Sequence, residues 1–314
     1  MNVPPHPPAS QPPQQSALPG CWWHPSRPTG LSCVRCGRPA CPECLREASV
    51  GYQCIDCVQT GRREQNIQRY TPRTVAGAQV SHRPVVTPVL IVVNVLAYVV
   101  TVAQSGSLTR NDTSSLFGDG VLWPRVIAGA DEWWRLVTSG FLHYGPIHLA
   151  VNMLALWILG RDMETLLGRV RFIALYVVSL LGGAVAVYLF DGVDRGTAGA
   201  SGAIYGLLGA MLVAVIRLRL NPAYAIGTIV LNLIITVSLP NISLLGHLGG
   251  LVVGAVATAA MVYAPAKGRQ YWQGGAVAVL LIALLVLVFV RDAQLADLVC
   301  WYRGDRLFCA EPSG

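Results

Sequence analysis

Seven stretches of the chain are nearly unbroken runs of apolar residues. Between and before them the pattern gives way to polar residues, prolines and paired cysteines. The runs cover residues 86–104, 147–166, 170–190, 200–218, 224–240, 243–263 and 272–290. Each is close to the ~20 helical residues that cross a hydrocarbon core of about 30 Å, so the pattern predicts seven membrane-spanning helices. The residues before the first run have neither a basic start nor an apolar h-region, so no signal peptide is expected and the first helix should remain as an anchor.

Composition supports this picture: 53% of the 314 residues are hydrophobic and only 12% charged, about half the share of an average soluble domain. A water-soluble globule is excluded. The positive charges then set an orientation. Arg62, Arg63, Arg69, Arg73 and Arg83 precede the first run, and alternate later connections carry Arg161, Arg169 and Arg171, then Arg217 and Arg219, then Lys267 and Arg269. By the positive-inside rule those faces and the N-terminus are cytoplasmic, and an odd number of spans leaves the C-terminus outside, at the cell (plasma) membrane. The net charge of +7 is therefore mainly topology, and no nucleic-acid partner is expected.

Polar groups inside hydrocarbon are costly unless paired or facing a hydrated cavity, so those within the runs need a reason. His148 and Asn152 share a helical face in HLAVN; Ser201 and Tyr205 share one in GASGAIYG; His247 opens GHLGGLVVG. None of these groups is a carboxylate. Gly202, Gly206 and Ala210 form one stripe of small residues at four-residue spacing, and Gly246, Gly250 and Gly254 form another, a pattern that lets helices approach closely. If those two helices pack together, a serine hydroxyl comes within reach of an imidazole, the minimum apparatus for an activated nucleophile. The competing reading is that the stripes merely pack helices and the serine bonds to its own turn.

Taken together, GASG with Tyr205 four residues after Ser201, the His148/Asn152 pair, and His247 followed by Gly250 and Gly254 resemble the rhomboid intramembrane serine proteases. Trp134-Arg135 in the long outer loop, His143 five residues before His148, and Glu164 with Gly168 extend the resemblance over roughly residues 85–263. Gly246 stands where the family commonly has Ala, and a seventh helix follows the core. The implied fold is an all-α polytopic membrane protein, a six-helix rhomboid core plus one C-terminal transmembrane helix. The implied activity is cleavage of transmembrane segments of membrane proteins by a Ser/His dyad through an acyl-enzyme, with no catalytic cofactor. Ser201 would be the nucleophile, His247 the general base, Tyr205 the ring that orients it, and His148 with Asn152 the oxyanion donors. Trp134, Arg135, Glu164, Gly199, Gly202, Gly250 and Gly254 would be structural, with Arg135 bonding carbonyls of the outer loop. A non-catalytic rhomboid-like factor that binds membrane clients is the alternative. A transporter is disfavoured by the lack of intramembrane Asp or Glu, and a tethered zinc adaptor would need only one anchor.

The head of the chain carries separate chemistry. After a Pro/Gln-rich tail at 1–20, expected to be disordered, come Cys21/His24, Cys33/Cys36, Cys41/Cys44 and Cys54/Cys57. Four pairs at this spacing supply eight ligands, enough for two structural zinc ions in a module over residues 21–60. Metal would be its main source of folding energy, since so short a segment builds little core. The order of the pairs resembles treble-clef and B-box-like cross-brace modules, which would set Cys21/His24 with Cys41/Cys44 and Cys33/Cys36 with Cys54/Cys57; sequential pairing is the other arrangement. Such modules bind protein, so a cytosolic partner is a candidate, with Trp22 or Trp23 either exposed to it or capping the metal core. A basic linker spans 61–84, and residues 264–314 hold the seventh helix and an external tail. In that tail Cys300 and Cys309 are either a disulfide, as an oxidising exterior favours, or two free thiols.

Overall fold

The computed structural model describes residues 17–67, 73–79, 83–239, 242–303 and 306–310. Most of the expected Pro/Gln-rich tail, and linker residues 68–72 and 80–82, lie outside the described residues. The chain divides into two compact units, Met1–Thr71 and Pro72–Gly314.

The first unit has little to build a core from. Its buried cluster is Cys21, Ala40, Cys41, Cys44 and Leu45, with Trp23 packed against it. Strand β1 (Leu45–Glu47) pairs antiparallel with β2 (Tyr52–Cys54), Leu45 opposite Cys54. Helix α1 (Ile55–Ile67) follows directly, so Cys54 ends a strand and Cys57 sits in the first turn of a helix. Two isolated bridges, Gly20 with Pro28 and Ser32 with Pro39, close the loops that carry Cys21/His24 and Cys33/Cys36.

The second unit is helical where the apolar runs predict helices. Helix α2 (Val86–Ser105) leads into a long loop containing α3 (Ser115–Gly120), α4 (Pro124–Ala130) and α5 (Arg135–Thr138). Six further long helices follow: α6 (Gly145–Leu167), α7 (Arg169–Phe190), α8 (Ser201–Arg217), α9 (Ala223–Ser238), α10 (Leu244–Val262) and α11 (Arg269–Gln294). Of the seven long helices among the described residues, four, α2, α7, α10 and α11, are long and apolar enough to cross a membrane unaided, and α6 qualifies together with Arg135–Phe141, from which it bends by 91°. Helices α8 and α9 are shorter than the sequence pattern suggests, at 17 and 16 residues. At 1.5 Å per residue each spans only about 25 Å. The chain between α7 and α8 does not continue the helix; residues 191–200 run against the α2–α6 loop, where Leu122 and Thr197 pair.

Burial is distributed as a lipid solvent requires. On α2 the buried residues are Thr87, Asn94, Tyr98 and Thr101, whereas Val89, Val92 and Leu96 are exposed. Polar atoms turn inward to find partners: Asn94 donates to the Leu90 carbonyl and Tyr98 to that of Leu108. Helix α7 is central, with 67% of its span buried, against 22% for α2 and 17% for α11. It packs with α8 and α10 at the glycine stripes. A Cβ on Gly250 would overlap the Gly202 carbonyl, and one on Gly254 would overlap the backbone of Gly206. The two backbones therefore touch, which only hydrogen side chains allow.

Glu164, 3% exposed near the end of α6, accepts from the N–H groups of Val85 (2.7 Å), Val86 (2.9 Å) and Thr87 (2.8 Å) and from the Thr87 hydroxyl. It caps the orphan donors at the start of α2 from another helix. Beyond α11 the tail is not irregular. Strands β3 (Val299–Arg303) and β4 (Arg306–Ala310) form an antiparallel hairpin that rests on α4, with a disulfide joining Cys300 and Cys309.

Candidate active site

Ser201 is the first residue of α8, and the chain enters it through Gly199 at φ +140°, a conformation other residues rarely adopt. Gly199 is fastened by its N–H to the Ser139 carbonyl (2.9 Å). A Cβ there would lie 2.9 and 3.0 Å from His148 Cε1 and Nε2 and 3.5 Å from Ser201 Oγ. Gly199 thus leaves a small cradle between the serine oxygen and the His148 ring. Tyr144 N–H donates to His148 Nδ1 at 3.3 Å, which assigns the neutral ring's proton to Nε2, the nitrogen beside the cradle. His143, fully buried, stands edge-on to His148 with ring centroids 5.1 Å apart.

His247, 6% exposed, lies in the first turn of α10, whose N-cap is Ser243 accepting from Gly246 N–H. Its ring stacks on Tyr205, centroids 4.0 Å apart and planes within 14°. The contact of Gly250 with Gly202 sets this height: it brings the turn that follows Ser201 against the turn that follows His247. Among the described residues no hydrogen bond joins Ser201 Oγ to His247; such bonds are often long before substrate binds. Asn152 is buried beside His148 and donates one N–H to the His148 carbonyl a turn back (2.9 Å), a local bond that leaves a second amide proton.

The loop between α2 and α6 is held by the buried guanidinium of Arg135. Arg135, 2% exposed, donates to the carbonyls of Gly118 (2.6 Å) and Val121 (3.0 Å) and pairs with Glu132 at 2.5 Å. Trp134 is 52% exposed, its indole N–H donating to the Asp119 carbonyl. Sequence reasoning missed Asn111, which donates to His143 and accepts from Gly145 N–H, tying the loop to the start of α6. It also missed Thr236, whose hydroxyl lies 2.8 Å from His247 Nδ1. Neither stands out in sequence, because a lone Asn in a loop or a Thr in an apolar helix reads as turn-forming or back-bonded.

In the first unit the eight candidate ligands fall into two groups: Cys21, His24, Cys41 and Cys44, and Cys33, Cys36, Cys54 and Cys57. Within each, all ligand atoms lie within 4.8 Å of one another. His24 Nδ1 is 3.8, 3.5 and 3.4 Å from the sulfurs of Cys21, Cys41 and Cys44, and Cys36 and Cys54 are 3.8 Å apart. Tetrahedral zinc with ordinary bond lengths needs edges of about 3.6–3.8 Å, so both groups could hold a metal ion. Burial, reinforced by neighbouring sulfurs, pushes the thiols of Cys44 and Cys57 up to about 12. Trp23 packs on the first cluster, whereas Trp22 is 58% exposed under the Arg38 guanidinium.

A half-buried serine at the start of α8 and a buried histidine in the first turn of α10, on helices whose glycines touch, define the class of site. Residues 130–264 match the rhomboid domain. The chain is 36% identical over 221 residues to the rhomboid protease GluP of Bacillus subtilis, covering 68% of this chain and 42% of that protein. It is 32% identical over 145 residues to YdcA of the same bacterium, covering 43% of this chain and 73% of that protein. A third relative, the rhomboid protease AarA of Providencia stuartii, is 26% identical over 216 residues, 58% of this chain and 74% of AarA. The chain belongs to the rhomboid family. It spans less than half the length of GluP and of the plant RHOMBOID-like protein 5.

Proposed function

We propose that the chain is an intramembrane serine endopeptidase that cuts transmembrane segments of other membrane proteins. The observation that carries this reading is the Gly199 cradle: a serine oxygen and the His148 Nε2 face the same small space, while a second imidazole, His247 of α10, stacks on Tyr205 one turn along α8 from that serine. Ser201 Oγ attacks the scissile carbonyl carbon as its proton passes to His247. The carbonyl oxygen becomes an oxyanion in the cradle, where His148 Nε2–H, the free amide proton of Asn152 and backbone N–H groups at the start of α8 receive it. When the tetrahedral intermediate collapses, the C–N bond breaks and His247 returns the proton to the leaving amine. Water then cleaves the acyl-enzyme by the same route in reverse.

A 17-residue α8 is too short for a ~30 Å core, so Ser201 can lie below the outer membrane surface with the Arg135-braced loop above it. A helical substrate has its carbonyls already bonded, so the site favours segments with helix-weakening residues and a small side chain at the cut. Basic residues orient the N-terminus to the cytoplasm and the Cys300–Cys309 hairpin to the outside of the cell membrane. In the first unit the two groups of four ligands fit two structural zinc ions, which would tie the loops, the hairpin and α1 to one another. Exposed Trp22 would suit a cytosolic protein partner.

The test is Ser201→Ala and His247→Ala in purified full-length protein. Each should abolish cleavage of a model transmembrane substrate, and the serine variant should lose labelling by a fluorophosphonate, while both still fold. Ser201→Ala cutting at the wild-type rate would refute the assignment. A wild type that binds clients but neither cuts nor labels would instead support a non-catalytic client-binding factor.

A further inference from the structure

His247 has no carboxylate behind it among the described residues; the partner of its Nδ1 is Thr236, near the end of α9 and 3% exposed. The threonine oxygen makes three contacts, at 2.8 Å to His247 Nδ1, 2.7 Å to the Tyr205 hydroxyl and 2.9 Å to the Asn232 carbonyl. A threonine hydroxyl has one proton to give and two lone pairs to receive with. The Asn232 carbonyl can only accept, so the threonine proton goes there. The other two contacts must then run inward, with Tyr205 O–H and His247 Nδ1–H both donating to Thr236 Oγ1. No other assignment satisfies all three contacts.

The consequence is a tautomer. With its proton on Nδ1, neutral His247 keeps its lone pair on Nε2, the form a base needs to take a proton from a serine. Stacking on Tyr205 fixes the plane of the imidazole but leaves it free to turn within that plane. The bond to Thr236 removes that freedom, and Tyr205 is bound to the same oxygen. The histidine, the phenol and the hydroxyl therefore form a closed triangle across α10, α8 and α9.

We propose that Thr236 is the positioning residue of this site. It is a neutral acceptor that holds the Nδ1–H tautomer and rotation of His247, where a catalytic triad would use a carboxylate. The inference rests on the protease reading above. A hydroxyl suits this place because a carboxylate buried among apolar helices would carry a large desolvation cost. It also makes α9 part of the catalytic apparatus, so a displacement of that helix would disturb the base.

The experiment compares Thr236→Val, Thr236→Ser and Thr236→Ala in full-length protein reconstituted in detergent. It reads kcat and KM on a transmembrane substrate, the rate of fluorophosphonate labelling, and the melting temperature. Thr236→Val matches the shape without the acceptor, and should lower kcat and the labelling rate together by about 10- to 100-fold, a part of the roughly 100- to 10,000-fold that a well-placed general base contributes, with KM little changed. Thr236→Ser should restore most of that loss. A Thr236→Val protein with wild-type kcat, or one changed only in KM, overturns the inference. So does a serine variant as slow as the alanine one, a comparison that stays decisive if the valine variant fails to fold. Ser201→Ala measured alongside separates the two levels. If it is dead while Thr236→Val is fully active, only the positioning role falls; a wild type inert in both assays overturns the inference together with the protease reading.

Discussion

Gly183 lies on α7 where three helices meet, and it offers a strict test of how the site is held. A Cβ there would stand 2.7 Å from the Gly246 carbonyl and 3.2 Å from Gly202 Cα, whereas ordinary contact begins at 3.4 Å. Both neighbours are backbone and cannot rotate away. Gly183→Ala must therefore push α10 or α8 outward by about 0.7 Å at its worst contact, an overpacking that typically costs 1–3 kcal/mol. Gly246 precedes His247 and Gly202 follows Ser201, so the displacement falls between the two residues proposed to exchange a proton. Misplacement by about 1 Å can cost on the order of 100-fold in rate, so kcat should fall about 10- to 100-fold in a protein that still folds. Gly274→Ala on α11 is the control: a Cβ there meets nothing within 4 Å, and replacing a helical glycine should be neutral or stabilise by up to about 1 kcal/mol. The assay is turnover of a transmembrane substrate with melting temperatures of the same preparations. Wild-type kcat in Gly183→Ala would refute the claim that backbone contact sets the Ser201–His247 spacing.

Four other outcomes are expected. Gly199→Ala should cut kcat by about 100-fold or more, because a methyl group would occupy the oxyanion cradle and the backbone would be strained; cleavage and fluorophosphonate labelling measured together check it. Glu164→Gln should destabilise the helical unit by about 2–3 kcal/mol, read as a lower melting temperature, since one amide oxygen cannot replace two carboxylate oxygens that accept four bonds. An impermeant thiol reagent on intact cells should label Cys300 and Cys309 only after reduction, and the segment 20–60 should hold two zinc ions that a chelator removes with loss of its structure.

Two kinds of information were readable in the chain without coordinates. Among the described residues the seven apolar runs became seven helices with ends within a few residues, because an unbroken apolar run satisfies its backbone in lipid by coiling; α8 and α9 fall short of the full span the runs suggested. Spacings such as Ser201 with Tyr205, or Cys33 with Cys36, place residues on one face or one knuckle through local geometry alone. What the sequence left open depends on distances between elements. The order of the cysteine pairs resembles a cross-brace but leaves sequential pairing open, and only the folded loops bring Cys21/His24 to Cys41/Cys44. Gly183 reads as one more small residue in an apolar helix until α10 is laid against it. Thr236 carries no signal at all, since a threonine that bonds to its own helix is the commonest reading of such a position. Its meaning arises where α9 crosses α8 and α10, because hydrogen bonds between helices are decided by the crossing, and the crossing is decided by which backbones are free of side chains to touch.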